Sequence, residues 1–530
     1  MKNSGKNKNI ILTGFMATGK TSVGRTLASQ IGYDFVDTDE LIESRIGMSI
    51  AEFFQEKGEA AFREMESVLA RELADQSGLV ISTGGRFMLD GDNAVVLGKT
   101  GRVFCLVATP EEILERAEGD SHERPLLQVP NPLEHIVELL QQRKKGYGQF
   151  PQFVTSEKSP ETVAGDLAGV ISGAPDVRLP ITASYDRYEF IVGGGLLPFL
   201  SHLAGIDGPI AVITDDTVGP LYAQSCGTVD MVVTTTPGRQ NKTLATAQSI
   251  CEQLLDAGFD RSGTVIALGG TVITELAGFI AATYMRGVDL VQCPTSLLAM
   301  VDTSIGGKTG VDLPQGKNLI GAFKQPKTVI ADVATLQSLP QRAFASGMAE
   351  VIKHSLIADS DLLGKIESGN WTQTTGETHQ QASQLQALVA QAIQVKINIV
   401  QEDPYDHGRR AVLNFGHTFA NAVERLSHHR VSHGEAVAMG IVASSYLSVR
   451  LGYCPEELSE RIETVLASAG LPTRIPADLA PDQLLLAMGS DKKKKAGKLH
   501  YVLLKNIGDV FVTDQVPEDA VLSTLAELRS

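Results

Sequence analysis

No apolar run in these 530 residues approaches the ~20 consecutive positions that span a bilayer, which argues against a helical membrane protein. Cysteine is sparse: the five present, Cys105, Cys226, Cys251, Cys293 and Cys454, show no C-x-x-C spacing, and an odd number cannot pair completely within one chain. Reduced thiols are therefore expected rather than a disulfide framework. Positive charge is also in deficit, with a formal net charge of −16, which argues against a general nucleic-acid binder. Lys492-Lys493-Lys494-Lys495 is a local exception, read either as a solvated face or as a phosphate contact. The basic, polar stretch Met1–Lys8 leads into an apolar run too short for a signal-peptide core, and a cytoplasmic location is expected. Internal repeats are absent, and low complexity is confined to the Gln-rich stretch Gln380–Gln394.

What is present has the balance of a soluble globular protein, 43% hydrophobic and 20% charged. Single cores stop growing near ~250–300 residues, so a chain of this length is expected to divide into two or three domains. Short β-rich runs (Ile10–Leu12, Leu79–Ser82, Val103–Val107) alternate with helical patterns (Ile50–Ala74, Pro110–Ala117), which predicts a parallel sheet covered by helices. The pattern loosens around Ser172-Gly173-Ala174-Pro175-Asp176, giving a first domain over 1–172 and a linker over 173–180. Alternation resumes over 181–342, whereas long helical periodicity dominates 343–530, notably Gln380–Gln401 and Ala436–Leu451.

Gly14-Phe15-Met16-Ala17-Thr18-Gly19-Lys20-Thr21 fits G-x-x-x-x-G-K-[ST] between a strand-like run and a helix-like segment. Backbone N–H groups of such a loop close around a phosphate, the lysine reaches the terminal phosphates, and the Thr21 hydroxyl suits magnesium. A plain Gly-rich turn before a helix is the competing explanation. Further along come Asp37-Thr38-Asp39, Phe62-Arg63-Glu64-Met65-Glu66, Ser82-Thr83-Gly84-Gly85, Arg124-Pro125 and Arg143. With these motifs in this order, residues 8–170 resemble the shikimate kinase family. The resemblance implies a P-loop, NMP-kinase-like fold that binds ATP through Ala17, Thr18, Gly19, Lys20, Thr21 and Ser22. It implies magnesium at Thr21 and, through water, at Asp37. Asp39 would hold the acceptor hydroxyls and take a proton. Arg63, Gly85 and Arg143 would hold a carboxylated ring, and Arg124, in the stretch Gly119–Glu123, would close as a lid over the phosphoryl group. Alone, Arg124 reads as a surface arginine. Arg86 stands where the family has a third glycine, and Lys144-Lys145-Gly146-Tyr147 replaces the usual Pro-Leu-Tyr.

The run Pro294–Gly310 and Gly316–Phe323 precede Ala349-Glu350-Val351-Ile352-Lys353, Leu413-Asn414-Phe415-Gly416-His417-Thr418, Ser432-His433-Gly434-Glu435 and Asp491-Lys492-Lys493. From about residue 180 onward the chain resembles the 3-dehydroquinate synthase family of sugar phosphate cyclases. That implies an α/β NAD-binding part followed by an all-helical metal- and substrate-binding part. By resemblance Glu350, His417 and His433 bind zinc, with cobalt as a possible substitute. Taken singly, Glu350 with Lys353 could be an i,i+3 ion pair and each histidine a hydrogen-bonded core imidazole. Lys353, Arg410 and Asn414 are the implied catalytic set, with Lys308, Lys396 and Lys492 as further anion contacts. NAD is expected at Lys242, Thr271, Glu275, Thr295, Ser296, Lys308, Lys317, Thr335 and Ser338. Departures fall at Thr271, Thr274 and Glu275, where the family has two glycines and an aspartate. Arg239 stands in place of an acidic residue before Lys242, and Asn421 in place of a histidine.

The implied activities are ATP-dependent phosphorylation of shikimate to its 3-phosphate and cyclisation of 3-deoxy-D-arabino-heptulosonate 7-phosphate to 3-dehydroquinate with loss of phosphate. Alternatives are a cyclase for another sugar phosphate, or one half serving only as a binding or oligomerisation module. Partners are expected to be small molecules, with neither nucleic acid nor membrane, and a homo-oligomer through the C-terminal domain is expected.

Overall fold

The computed structural model describes residues 8–119, 129–172, 176–183, 186–227, 229–369, 379–428, 430–489 and 499–529. They form two compact units, one of Met1–Gly173, Gly195–Gly208 and Tyr222–Asp230, the other of Ala174–Gly194, Pro209–Leu221 and Met231–Ser530.

Among the described residues, the first unit contains a parallel sheet of β1 (Asn9–Gly14), β2 (Asp34–Asp37), β3 (Leu79–Ser82), β4 (Gly101–Val107) and β5 (Gln152–Val154), in the order β2-β3-β1-β4-β5. Successive β1 side chains point to opposite faces: Ile11 joins one apolar cluster, Ile10 and Leu12 the other. Register sets the carboxyl ends level, with Ser82 of β3 beside Leu12 of β1 and beside Asp37 of β2. The helix Ile50–Ala74 opens with a Ser49–Glu52 capping box and breaks at Gly58 (φ 82°, ψ 167°). On the second face Phe104 and Phe153 pack edge-on against Phe199, with ring centroids 5.5–5.9 Å apart. Phe199 comes from Gly195–Gly208, far downstream of the strands it covers. Lys144 pairs with Asp230 at 2.9 Å, in the other late segment of this unit.

The second unit is built on β6 (Val177–Ala183), β7 (Asp186–Gly193), β8 (Ile210–Asp215), β9 (Met231–Thr235), β10 (Thr264–Gly269), β11 (Asp289–Pro294), the β12 (Lys308–Leu313) and β13 (Gly316–Phe323) hairpin, and β14 (Thr328–Asp332). The main sheet runs β6-β7-β14-β11-β10-β8-β9, parallel except for β6 against β7. From β8 the chain goes to β9 on one side and returns to β10 on the other, so strand order reverses there and a crevice opens at the carboxyl ends.

Beyond Pro340 helices dominate. Gln341–Ala358 and His433–Arg450 are buried along most of their length, which suits their nearly all-round apolar and small residues. Among the described residues the expected all-helical half is interrupted by an antiparallel hairpin, β15 (Tyr501–Asn506) with β16 (Asp509–Thr513). Tyr501–Leu504 is a short apolar run with no alternation, which periodicity alone cannot assign. Among the described residues no helix is long and apolar enough to cross a membrane.

Candidate active sites

Gly14 (φ 134°) and Gly19 (φ 89°) turn the chain between β1 and the helix Lys20–Ile31, and Ala17 (φ 58°) shares this left-handed conformation. A Cβ on Gly14 would stand 2.2 Å from the Leu106 carbonyl oxygen. Lys20 Nζ donates to the carbonyls of Gly14 (3.0 Å) and Phe15 (2.7 Å), which holds the cation over the loop. Thr18 Oγ1 donates to the Phe15 carbonyl at 2.8 Å, and Ser22 Oγ to that of Gly19 at 3.1 Å. Thr21 Oγ1 donates to Asp37 Oδ2 at 2.8 Å, so the two residues expected at magnesium meet. Asp37 also caps the helix Thr38–Ile46 by accepting from the Asp39 amide at 3.0 Å.

Asp39 lies beside them. Burial first, and then the Asp37 charge, push its carboxyl up to about 6, against the pull of Lys20. Gly84 brings its backbone against this carboxylate; a Cβ there would stand 2.6 Å from Asp39 Oδ1. Gly85 lies near Arg143, which stacks over Phe15 at 5.2 Å. Tyr147 donates to the Gly85 carbonyl at 2.5 Å. Arg63 donates to Glu66 Oε2 at 2.6 Å, and burial pushes Glu66 up to about 7 although Arg63 opposes it. Arg124 lies outside the described residues.

In the second unit three helices meet through glycine. A Cβ on Gly440 would come 2.1 Å from the Gly416 carbonyl oxygen, and one on Gly434 would come 2.2 Å from that of Ser346. These contacts seat His417–Leu426 against His433–Arg450, and His433–Arg450 against Gln341–Ala358. His417 and His433 each open their helix, and Glu350 projects from the middle of the third. Both imidazole Nε2 atoms lie 3.5 Å from Glu350 Oε1, and one ligand atom from each residue falls within 4.8 Å of the others. Glu350 Oε1 is buried and accepts no hydrogen bond, as a metal ligand would be left. His417 Nδ1 faces the Phe415 carbonyl at 3.3 Å and His433 Nδ1 faces Glu424 Oε2 at 3.5 Å, which turns both Nε2 atoms inward. The donor set fits a divalent transition metal. Burial opposes ionisation of Glu350, but Lys353 and the imidazoles hold its carboxyl well below the usual range.

Against this centre lie three buried cations. Lys353 pairs with Glu350, Lys396 with Asp302, and Arg410 donates to the Pro404 carbonyl at 2.9 Å. Gly306 (φ 95°) lets Arg410 pass, since a Cβ there would stand 2.1 Å from its Nη2. Asn414 closes the short turn Arg409–Asn414 that carries Arg410. Lys308 pairs with Asp406 at 2.6 Å. Lys492 lies outside the described residues, as do its neighbours Asp491 and Lys493. His354, buried with both ring nitrogens unpartnered, groups with Asp302 and Glu350, but lysines already hold both carboxylates.

The residues expected at NAD divide. Thr271 and Ser296 line a cavity of about 250 Å³ with Asp215, Gly238, Gly270 and Ser346, at the carboxyl ends where strand order reverses. Thr295 is buried beside them, its amide donating to the Gly269 carbonyl at 3.0 Å. Thr274 faces inward, its hydroxyl meeting Thr303 at 3.1 Å. Lys242 is fully buried and ion-paired with Glu275 and with Asp312 at 3.3 Å; Arg239 donates to the same Asp312 at 2.8 Å. Two of the departures from the family pattern thus form one charge-balanced network. Lys317 pairs with Glu424 at 3.2 Å, on the metal side. In the turn Val333–Ser338, Thr335 Oγ1 donates to the carbonyl of the capping Asp332 at 2.7 Å and Ser338 Oγ to that of Thr335 at 3.1 Å.

Glu424, Asp312 and Glu59 escaped the sequence reading, and Asp302 and Glu66 stood within the quoted motifs without a role. Glu424 carried a usable signal, seven residues after His417 and so on the same helix face. Asp312 is joined to Lys242 and Arg239 only by the fold.

Three family models match the chain: shikimate kinase over 16–171, 3-dehydroquinate synthase N-terminal over 232–346 and 3-dehydroquinate synthase C-terminal over 347–494. A 3-dehydroquinate synthase of Symbiobacterium thermophilum is 42% identical over 356 residues, covering 65% of this chain and 98% of that protein. The solved structure of 2-deoxy-scyllo-inosose synthase complexed with carbaglucose-6-phosphate, NAD+ and Co2+ has a TM-score of 0.59 at 25% identity, over 66% of this chain and all of that one. A 2-epi-5-epi-valiolone synthase from Streptomyces hygroscopicus with NAD+ and Zn2+ bound has a TM-score of 0.60, also at 25% identity, over 66% of this chain and 98% of that one.

Proposed function

Because the chain belongs to the 3-dehydroquinate synthase family over its C-terminal two thirds and carries a shikimate kinase domain before it, we propose that it catalyses two reactions of aromatic biosynthesis. The first unit phosphorylates shikimate at its 3-hydroxyl with ATP and magnesium; the second converts 3-deoxy-D-arabino-heptulosonate 7-phosphate to 3-dehydroquinate and phosphate.

In the kinase reaction the loop amides and Lys20 bind the β- and γ-phosphates, and Thr21 with Asp37 holds the magnesium shell. Asp39 accepts the proton of the attacking hydroxyl, a role suited to a carboxylate whose affinity for protons is raised by burial. Arg63 and Arg143 fix the acceptor by its carboxylate.

In the cyclase, Glu350, His417 and His433 hold the metal, zinc or cobalt, and the crevice lined by Thr271 and Ser296 holds NAD. When bound, these groups supply Lewis acidity at a secondary alcohol and a hydride acceptor. Lys353, Lys396 and Arg410, all three buried, gather the substrate's phosphate and carboxylate, and fixed cations act more strongly there than in bulk water. The observation that carries this half is the convergence of Glu350, His417 and His433 beside those three buried cations. The test is phosphate release and NAD dependence with the heptulosonate substrate against a panel of other sugar phosphates. Turnover of another member of the panel in its place would install the second reading, a related cyclase, which Asn421 favours by lacking a titrating imidazole.

A further inference from the structure

Arg63 and Arg86 belong to different elements, the helix Ile50–Ala74 and the turn after β3, yet one carboxylate joins them. Glu59 Oε1 accepts from Arg63 Nε at 3.2 Å, from Arg63 Nη2 at 2.9 Å and from Arg86 Nη1 at 3.0 Å. Glu59 is the first residue after the break at Gly58 and stands one turn before Arg63, its i,i+4 partner. Arg63's other arm is fixed differently. Glu66, whose side chain is only 2% exposed, grips Nη1, whereas the side chains of Glu59 and Arg86 are 52% and 54% exposed. Glu66 is an anchor; Glu59 is a partner that a competing carboxylate can replace, because exposed pairs are weak and screened. Arg63 is near enough to act on the charge of Asp39, and Arg86 directly follows Gly84-Gly85, where Gly84 admits the Asp39 carboxylate and Gly85 stays open on the side of Arg143.

We propose that Arg86 is a second carboxylate-recognising residue of the phosphoryl-acceptor site, and that Glu59 is an internal carboxylate holding Arg63 and Arg86 side by side until the acceptor's carboxylate takes its place. The inference rests on the kinase reading and narrows it: the acceptor is a carboxylated polyol read by three guanidiniums. Arg86, where the family has glycine, is then a specificity-determining residue.

The test is steady-state phosphorylation by the full chain, with shikimate and its uncharged methyl ester as acceptors, for the parent, Arg86→Gly, Arg86→Lys and Glu59→Gln. Arg86→Gly is expected to raise KM for shikimate about tenfold with kcat within about twofold, and to leave KM for the ester unchanged, the signature of lost ground-state binding to one charged group. Arg86→Lys falls between, keeping the charge without the planar fork. Glu59→Gln lowers KM for shikimate. An unchanged KM for ATP verifies that each variant is folded. An Arg86→Gly KM equal to the parent's, or raised equally for the ester, overturns the role of Arg86, and a raised KM in Glu59→Gln overturns the exchange. If the parent phosphorylates shikimate and Arg86→Gly matches it, only this inference falls; if the parent does not, the kinase reading falls with it.

Discussion

Asp39 joins three features at one side chain: burial, the neighbouring charge of Asp37, and a backbone pressed close by Gly84. A base must be ionised to act, and its raised value of about 6 means it protonates as pH falls through that point. Kinase kcat/KM is therefore expected to drop below about pH 6 and to level above it, read from a pH–rate profile in which Asp39→Asn is flat and slow. Lys20→Ala should lower phosphorylation of shikimate by about 100-fold or more while cyclase turnover stays within a few-fold, checked by assaying both reactions on the same preparation. The meeting of Thr21 with Asp37, and of Asp37 with Asp39, was legible in sequence because these residues belong to motifs of short spacing. Glu59 and Glu66 were not, since a glutamate on an amphipathic helix looks the same whether it meets solvent or an arginine.

At the level of elements, the metal centre depends on how closely helices approach. Gly440→Ala places a methyl group 2.1 Å from the Gly416 carbonyl oxygen, so the helices must separate and His417 moves away from Glu350. The expected loss is about 1–3 kcal/mol of stability, with zinc falling well below one per chain by metal analysis. His417→Ala should remove zinc with a smaller change in melting temperature. The network of Lys242, Glu275, Asp312 and Arg239 has the opposite character, holding the β12–β13 hairpin to the helix Thr271–Thr283 by charge. Glu275→Ala should cost on the order of 2 kcal/mol by calorimetry, less than the ~3–5 kcal/mol of a fully broken buried pair, because Asp312 remains. Helices and parallel strands were readable from periodicity and glycine turns. The β15–β16 hairpin and the break at Gly58 were not: a four-residue apolar run and one glycine within a helical pattern each fit two structures equally well.

For the molecule as a whole, length indicated more than one core, and the motifs indicated two families. What neither could indicate is that the first unit is assembled from three stretches of chain, because long-range packing leaves no local signal. Phe199 closes a triad with Phe104 and Phe153. Phe199→Ala is expected to destabilise the first unit by about 3–4 kcal/mol, seen as a lower melting transition that ATP shifts upward. The interleaving also bears on heredity. A frameshift soon after Gly173 would spare every kinase motif yet delete Phe199 and Asp230, so a lesion in the downstream coding region would impair the upstream catalyst as well. Selection thus acts on the two activities as one locus, and the fusion is harder to undo by gene fission than its linear order suggests.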